Sequence, residues 1–211
     1  MTKDIVASII ATSQEELEQR INKVANAVNL IQLDIMDETL TPTTTLNFDF
    51  TLPNIDCTKE AHLMLKQPKV WIEKKADLVD TIIFHIESIN NIEETIDLIK
   101  QKGKKVGVAI APETPVEELI PYLNKIDQIL VFTAEKLGYY GAPFSKLAIS
   151  KIKKIRELNK EIIIEVDGGV SPENIKELSD AGVNLFVVGS YLQKSDDLNS
   201  AISNLKNIIA N

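Results

Sequence analysis

The chain is poor in the residues that cross-link, stack or carry positive charge. Cys57 is its one cysteine, so no internal disulfide can form and a reducing compartment is expected. No histidine adjoins Cys57, which leaves the thiol without a base to activate it. Basic residues number 23 against 31 acidic ones, for a net charge of −8, and this balance argues against a nucleic-acid partner. The only basic run, 151–156, carries Ile152 and Ile155 at helical spacing and predicts a helix with a solvated lysine face. No apolar run reaches membrane-spanning length, and Met1-Thr2-Lys3-Asp4-Ile5 lacks the apolar core of a signal peptide. The expectation is a cytoplasmic protein with no membrane partner.

What is present is aliphatic. Hydrophobic residues make up 44% of the 211, enough for a sizeable core in one α/β domain covering 1–211. Short β-branched runs predict strands at 5–10, 30–35, 61–65, 81–86, 105–110, 128–132, 162–166 and 185–188. Amphipathic segments at 14–27, 68–75, 92–101, 115–123, 144–158, 172–181 and 198–210 predict helices between them. Eight strands interleaved with helices imply a parallel sheet. The Thr-rich stretch 39–58 breaks the rhythm, so the helix after the second strand is expected to be short or absent.

Two late strands end abruptly at glycine, in Val166-Asp167-Gly168-Gly169 and Val188-Gly189-Ser190. Such endings suggest a phosphate cradle at the top of a (β/α)8 TIM barrel. Alternation within strands places Gln32, Asp34 and Met36 on one face, with His62 and Met64, His85 and Glu87, and Glu165 and Asp167 in the same phase. The opposite face is aliphatic and should meet the helices. Asp37 is out of phase with Asp34 and should cap its loop.

At these residues the chain resembles the ribulose-phosphate 3-epimerase family of ribulose-phosphate-binding barrels. The matching pieces are Ala7-Ser8-Ile9-Ile10, Leu33-Asp34-Ile35-Met36-Asp37, His62-Leu63-Met64, Phe84-His85-Ile86-Glu87, the run 107–114, Val166-Asp167-Gly168-Gly169-Val170 and Val188-Gly189-Ser190. The resemblance implies interconversion of ribulose 5-phosphate and xylulose 5-phosphate, a phosphorylated ketose substrate and a homo-oligomer. It implies Asp34 and Asp167 as the acid/base pair, which with His62 would also ligate a divalent ion: zinc, manganese, iron, cobalt or magnesium. It implies substrate contacts from Ser8, Met36, His62, Gly168, Gly169, Gly189 and Ser190, joined by Gly138 and Gly141 of the sixth-strand loop.

Four positions depart from the family pattern. Gln32 stands where a histidine ligand is expected, and is either a substitute ligand or a plain hydrogen-bonding residue. Glu38 replaces a glycine, Ala111 an asparagine, and 133–144 a glycine-rich loop in which Tyr139 and Tyr140 could close over a ligand or fill space. Two alternatives follow: a related sugar-phosphate epimerase, isomerase or lyase with another substrate, or a non-catalytic phosphosugar-binding barrel that holds no metal. His85 is expected to pack behind the site, Glu87 and Glu165 to make polar contacts in the barrel, and Trp71 and the remaining methionines to be core.

Overall fold

The computed structural model describes residues 2–135, 137 and 143–210. Eight parallel strands close into a barrel: β1 (Asp4–Ile9), β2 (Leu30–Asp37), β4 (Thr58–Met64), β5 (Thr81–His85), β6 (Lys105–Ile110), β7 (Gln128–Phe132), β8 (Ile163–Asp167) and β9 (Leu185–Val188). Closure comes from β1, which pairs with β9 on one side and with β2 on the other. A two-residue strand, β3 (Thr44–Thr45), lies antiparallel on β2. It occupies the irregular stretch after the second strand, where no helix forms.

Around the barrel run α1 (Gln14–Val24), α2 (Pro68–Lys75), α3 (Ile92–Gln101), α4 (Leu147–Leu158), α5 (Ile175–Ala181), α6 (Ser190–Gln193) and α7 (Leu198–Ala210). Local chemistry sets several of their ends. Ser13 and Asn91 accept from the N–H groups of Glu16 and Glu94 and cap α1 and α3. Leu17, Ile21 and Val24 recur on one face of α1 and are buried against the sheet.

Alternation separates two apolar sets. Ile31, Leu33, Leu63, Phe84, Val106, Val108, Ile129, Ile164 and Phe186 pack outward beneath the helices. A smaller inner set, Ile83, Ala109, Leu130, Phe132 and Ala134, fills part of the barrel. The remaining interior is polar: Gln32, Glu60, His62, His85 and Glu165 are all fully buried.

Three expectations need correction. The segment expected as an α-helix over 115–123 is a 3-10 helix, Val116–Tyr122. Pro121 inside it lacks the N–H for an α-helical bond, and its ring opposes the carbonyl one turn back. Helix α4 starts at Leu147 rather than 144, because Phe144 bridges antiparallel to Ala134 and the Ser145 N–H donates to the Thr133 carbonyl at 2.7 Å. The face of α4 expected to carry solvated lysines includes Lys151, which is buried and donates to the carbonyls of Ala111, Pro112 and Thr114 at 2.6, 2.9 and 2.6 Å. Three carbonyl acceptors at the end of β6 offset the desolvation of that ammonium.

Candidate active site

The C-terminal rim of the barrel encloses a pocket of about 280 Å³. Ser8, Asp34, Met36, Met64, Phe132, Asp167, Gly168, Gly169, Gly189 and Ser190 line it, as do Thr12 and Glu16 from the α1 side and Thr43, Thr44 and Thr45 from the stretch after β2. Among the described residues, no lysine or arginine lines it. An anion held there would rely on backbone N–H groups at the glycine turns. Gly168 and Gly169 have φ of 111° and 69°, the left-handed region in which successive N–H groups converge.

Beneath the pocket the polar side chains form one connected set. Strand register places Ser8 beside Gln32 and Asp34 beside His62. The Ser8 hydroxyl donates to Asp34 Oδ2 at 2.6 Å. The Gln32 amide Nε2 donates to Asp34 Oδ1 at 2.8 Å and to Asp167 Oδ2 at 2.9 Å, so one amide bridges both acids. His62 Nδ1 lies 3.1 Å from Asp167 Oδ2 and 3.4 Å from Asp34 Oδ1. Behind it His85 meets the ring edge to edge, Nε2 to Nε2 at 2.8 Å with the two rings near coplanar, and His85 Nδ1 lies 3.2 Å from Glu87 Oε2.

The electrostatics follow from burial and crowding. Asp34 is pushed above the usual carboxylate range by burial first and by the neighbouring Asp167 charge second. Burial opposes charge on His62, yet hydrogen bonds and attraction from Asp167 and Asp34 outweigh it and raise its pKa to about 9. Burial lowers the pKa of His85. It acts upward on Glu87, but bonds from His85, Thr114 and the Ala111 N–H prevail and bring that carboxyl to about 2.

A second carboxyl pair lies deeper. Gln128 Nε2 donates to Glu165 Oε2 at 2.8 Å and to Glu60 Oε2 at 3.2 Å. Burial first, and then the Glu60 charge, hold Glu165 well above its ordinary 4.5. The sign of the pH effect follows. Below pH 4.5 the carboxyl is protonated in both folded and unfolded chains and nothing is lost. Above it only the unfolded chain ionises freely, so stability falls with rising pH until the folded carboxyl also ionises. Glu165→Gln removes that loss, and its NH₂ can donate to Glu60. We expect the variant to exceed the wild type by roughly 1–2 kcal/mol at pH 8, with the gap closing towards pH 4. Urea midpoints at the two pH values measure it.

Of the residues expected to touch substrate, Ser8, Met36, Gly168, Gly169, Gly189 and Ser190 line the pocket. His62 does not: it is fully buried below the pocket, as is Gln32, the expected substitute ligand or hydrogen-bonding residue. Gly138 and Gly141, with Tyr139 and Tyr140, lie outside the described residues. Asp37 Oδ1 accepts from the Thr39 N–H and hydroxyl and so caps its loop. Glu38, where a glycine was expected, sits at φ 66° and accepts from the Thr44 hydroxyl at 2.9 Å. Met64, expected as core, also lines the pocket; its phase shared with His62 was the signal. Glu16 and the Thr43–Thr45 lining had no sequence signal, because a helix turn and an irregular stretch carry no strand phase.

Asp34, His62 and Asp167 could hold a metal ion. One ligand atom from each lies within 4.8 Å of the others. The donor set fits a divalent cation, and a fourth donor is at hand. Gln32 Oε1 is buried with no hydrogen-bond partner among the described residues, while the isosteric NH₂ faces the two acids. A half-turn of the amide would exchange them.

A profile of the ribulose-phosphate 3 epimerase family matches residues 4–193. The ribulose-phosphate 3-epimerase of Bacillus subtilis (strain 168) is 30% identical over 212 residues, covering 96% of this chain and 97% of that one. That of Buchnera aphidicola subsp. Schizaphis graminum is 32% identical over 222 residues, covering 98% and 95%. Among solved structures, the 3-keto-L-gulonate-6-phosphate decarboxylase of Vibrio cholerae superposes with a TM-score of 0.75 at 13% identity, covering 100% of this chain and 98% of that one. The 3-hexulose-6-phosphate synthase of Salmonella typhimurium superposes at 0.70 with 14% identity, covering 98% of each. At these identities the two structures speak for the fold alone.

Proposed function

The chain belongs to the ribulose-phosphate 3-epimerase family, and on that premise we propose that it interconverts ribulose 5-phosphate and xylulose 5-phosphate by proton transfer at C3. The observation that carries the reading is the Asp34–Gln32–Asp167 bridge, which brings two acids from β2 and β8 to one point in the pocket lining. Inversion at carbon needs an acid/base group on each face. One acid removes the C3 proton, and the other, protonated, returns a proton on the opposite side.

The C3 proton leaves only if charge developing on the adjacent carbonyl oxygen is stabilised. A divalent ion held by Asp34, His62, Asp167 and the turned Gln32 amide would supply that stabilisation. Two carboxylates, one imidazole and an amide oxygen make an oxygen-rich donor set that suits a hard ion such as manganese or magnesium. Ser8 orients Asp34 through its hydroxyl. Met36 offers an apolar surface at the reacting carbons, and Gly168, Gly169, Gly189 and Ser190 would receive the phosphate. Phosphosugars do not cross membranes unaided, which suits a cytoplasmic enzyme; the family reading also proposes a homo-oligomer, which sedimentation would test.

Ribulose 5-phosphate incubated with the protein and Mn²⁺ should yield xylulose 5-phosphate by NMR, and exhaustive chelation should lower the rate by 10²-fold or more. Absence of product with every divalent ion tried overturns the proposal.

A further inference from the structure

We propose that Glu87 fixes the proton position on His62 through His85, so that the His62 nitrogen facing Asp34 and Asp167 presents a lone pair to a metal ion. The inference rests on the reading of Asp34, His62 and Asp167 as metal ligands. Glu87 touches neither the pocket nor that cluster.

Donors and acceptors along this line fix each proton. His62 Nε2 and His85 Nε2 face each other at 2.8 Å, so one carries the proton and the other accepts it. The choice is made at the far side of His85, where Nδ1 lies 3.2 Å from Glu87 Oε2. The other Glu87 oxygen accepts from the Ala111 backbone N–H at 2.7 Å and from the Thr114 hydroxyl. A backbone N–H can only donate, so it holds Glu87 as an acceptor. An ionised carboxylate also accepts at its second oxygen, and His85 must therefore donate from Nδ1. Its Nε2 is left as the acceptor, and His62 donates from Nε2. The nitrogen of His62 left for an ion is Nδ1, the one beside Asp167 and Asp34, and an ion that binds there displaces the proton those carboxylates hold on it in the metal-free chain. Outer partners of this kind commonly orient histidine ligands and set their tautomer.

Glu87→Gln should reverse the chain of proton positions. The Ala111 N–H and the Thr114 hydroxyl would hold the amide oxygen, which turns the NH₂ towards His85 Nδ1. His85 would then carry its proton on Nε2 and oppose the Nε2 proton of His62. Relief comes when His62 moves its proton to Nδ1, the ligating atom. Thr114→Val is the control, since it removes a contact to Glu87 without changing the acceptor that faces His85.

The test uses the untagged full chain, whose only histidines are His62 and His85. Imidazole ¹⁵N spectra should show His85 protonated on Nδ1 in the metal-free wild type, and His62 protonated on Nε2 with Zn²⁺ added. Zinc titration should give a dissociation constant about 10–100-fold weaker for Glu87→Gln, and a wild-type value for Thr114→Val. A wild-type His85 protonated on Nε2 overturns the inference, as does a folded Glu87→Gln that binds Zn²⁺ as tightly as the wild type. If Glu87→Gln does not fold, the wild-type spectrum decides. Failure of the wild type to bind Zn²⁺ or Mn²⁺ overturns the metal reading and the inference with it, whereas an Nε2 proton on His85 overturns the relay alone.

Discussion

Asp34→Asn and Asp167→Asn should each lower epimerisation by roughly 10²–10⁴-fold, the usual worth of a positioned acid or base. Both substitutions keep the side-chain shape and an oxygen for the Gln32 bridge, so the loss is chemical rather than one of folding. The two variants should differ in deuterated water. Each retains one competent acid, which still faces the C3 proton of one epimer. One variant should therefore exchange C3 hydrogen in ribulose 5-phosphate without making product, and the other only in xylulose 5-phosphate. Mass spectrometry of each recovered sugar reads this directly. Equal exchange in both sugars by both variants would mean that the acids do not divide the two faces between them.

Gly168→Ala should be the most damaging single change to the phosphate side. A Cβ built on Gly168 would lie 2.6 Å from the Ala134 backbone nitrogen and 2.7 Å from the Ala134 side chain. The φ of 111° is also one that alanine rarely adopts. The turn must shift away from Ala134, and that shift moves Gly169 and the rim of the pocket. A loss of roughly 2–4 kcal/mol is expected from strain and overpacking together. Phosphate-dependent thermal stabilisation should vanish with it, since only a formed cradle binds the anion. Urea denaturation, and melting with and without inorganic phosphate, measure the two effects. A variant as stable as the wild type and equally protected by phosphate would remove this turn from the binding site.

The barrel was legible because strand alternation is a strong signal when one face is aliphatic throughout. It put Gln32 and Asp34 in one phase, and His62, His85 and Asp167 in the matching phase of three other strands, which is where the polar network lies. The direction of a side chain along a strand is local information. Which groups touch is not: that depends on stagger between strands, and nothing local shows that the Gln32 amide bridges two acids or that Glu60 and Glu165 share Gln128. The Thr43–Thr45 wall escaped for a related reason. Its place over the pocket is set by two antiparallel pairs on β2 and by the Thr45 hydroxyl bonded to the Ala11 N–H, contacts that no periodicity encodes. Lys151 misled because its spacing fits a solvated helix face, while its ammonium in fact satisfies three carbonyls after β6. Proline in 115–123 carried the correct warning, in that a helix with Pro121 inside it tightens rather than extends.

The central claim is that two carboxyl groups, from β2 and β8 of one closed sheet, work on opposite sides of C3. The most direct measurement is the origin of the C3 hydrogen in xylulose 5-phosphate formed during early turnover in deuterated water. The account predicts deuterium at C3 of the product while unconverted ribulose 5-phosphate keeps its protium. Product that carries the substrate's own hydrogen would mean a single group shuttles the proton, and would contradict it.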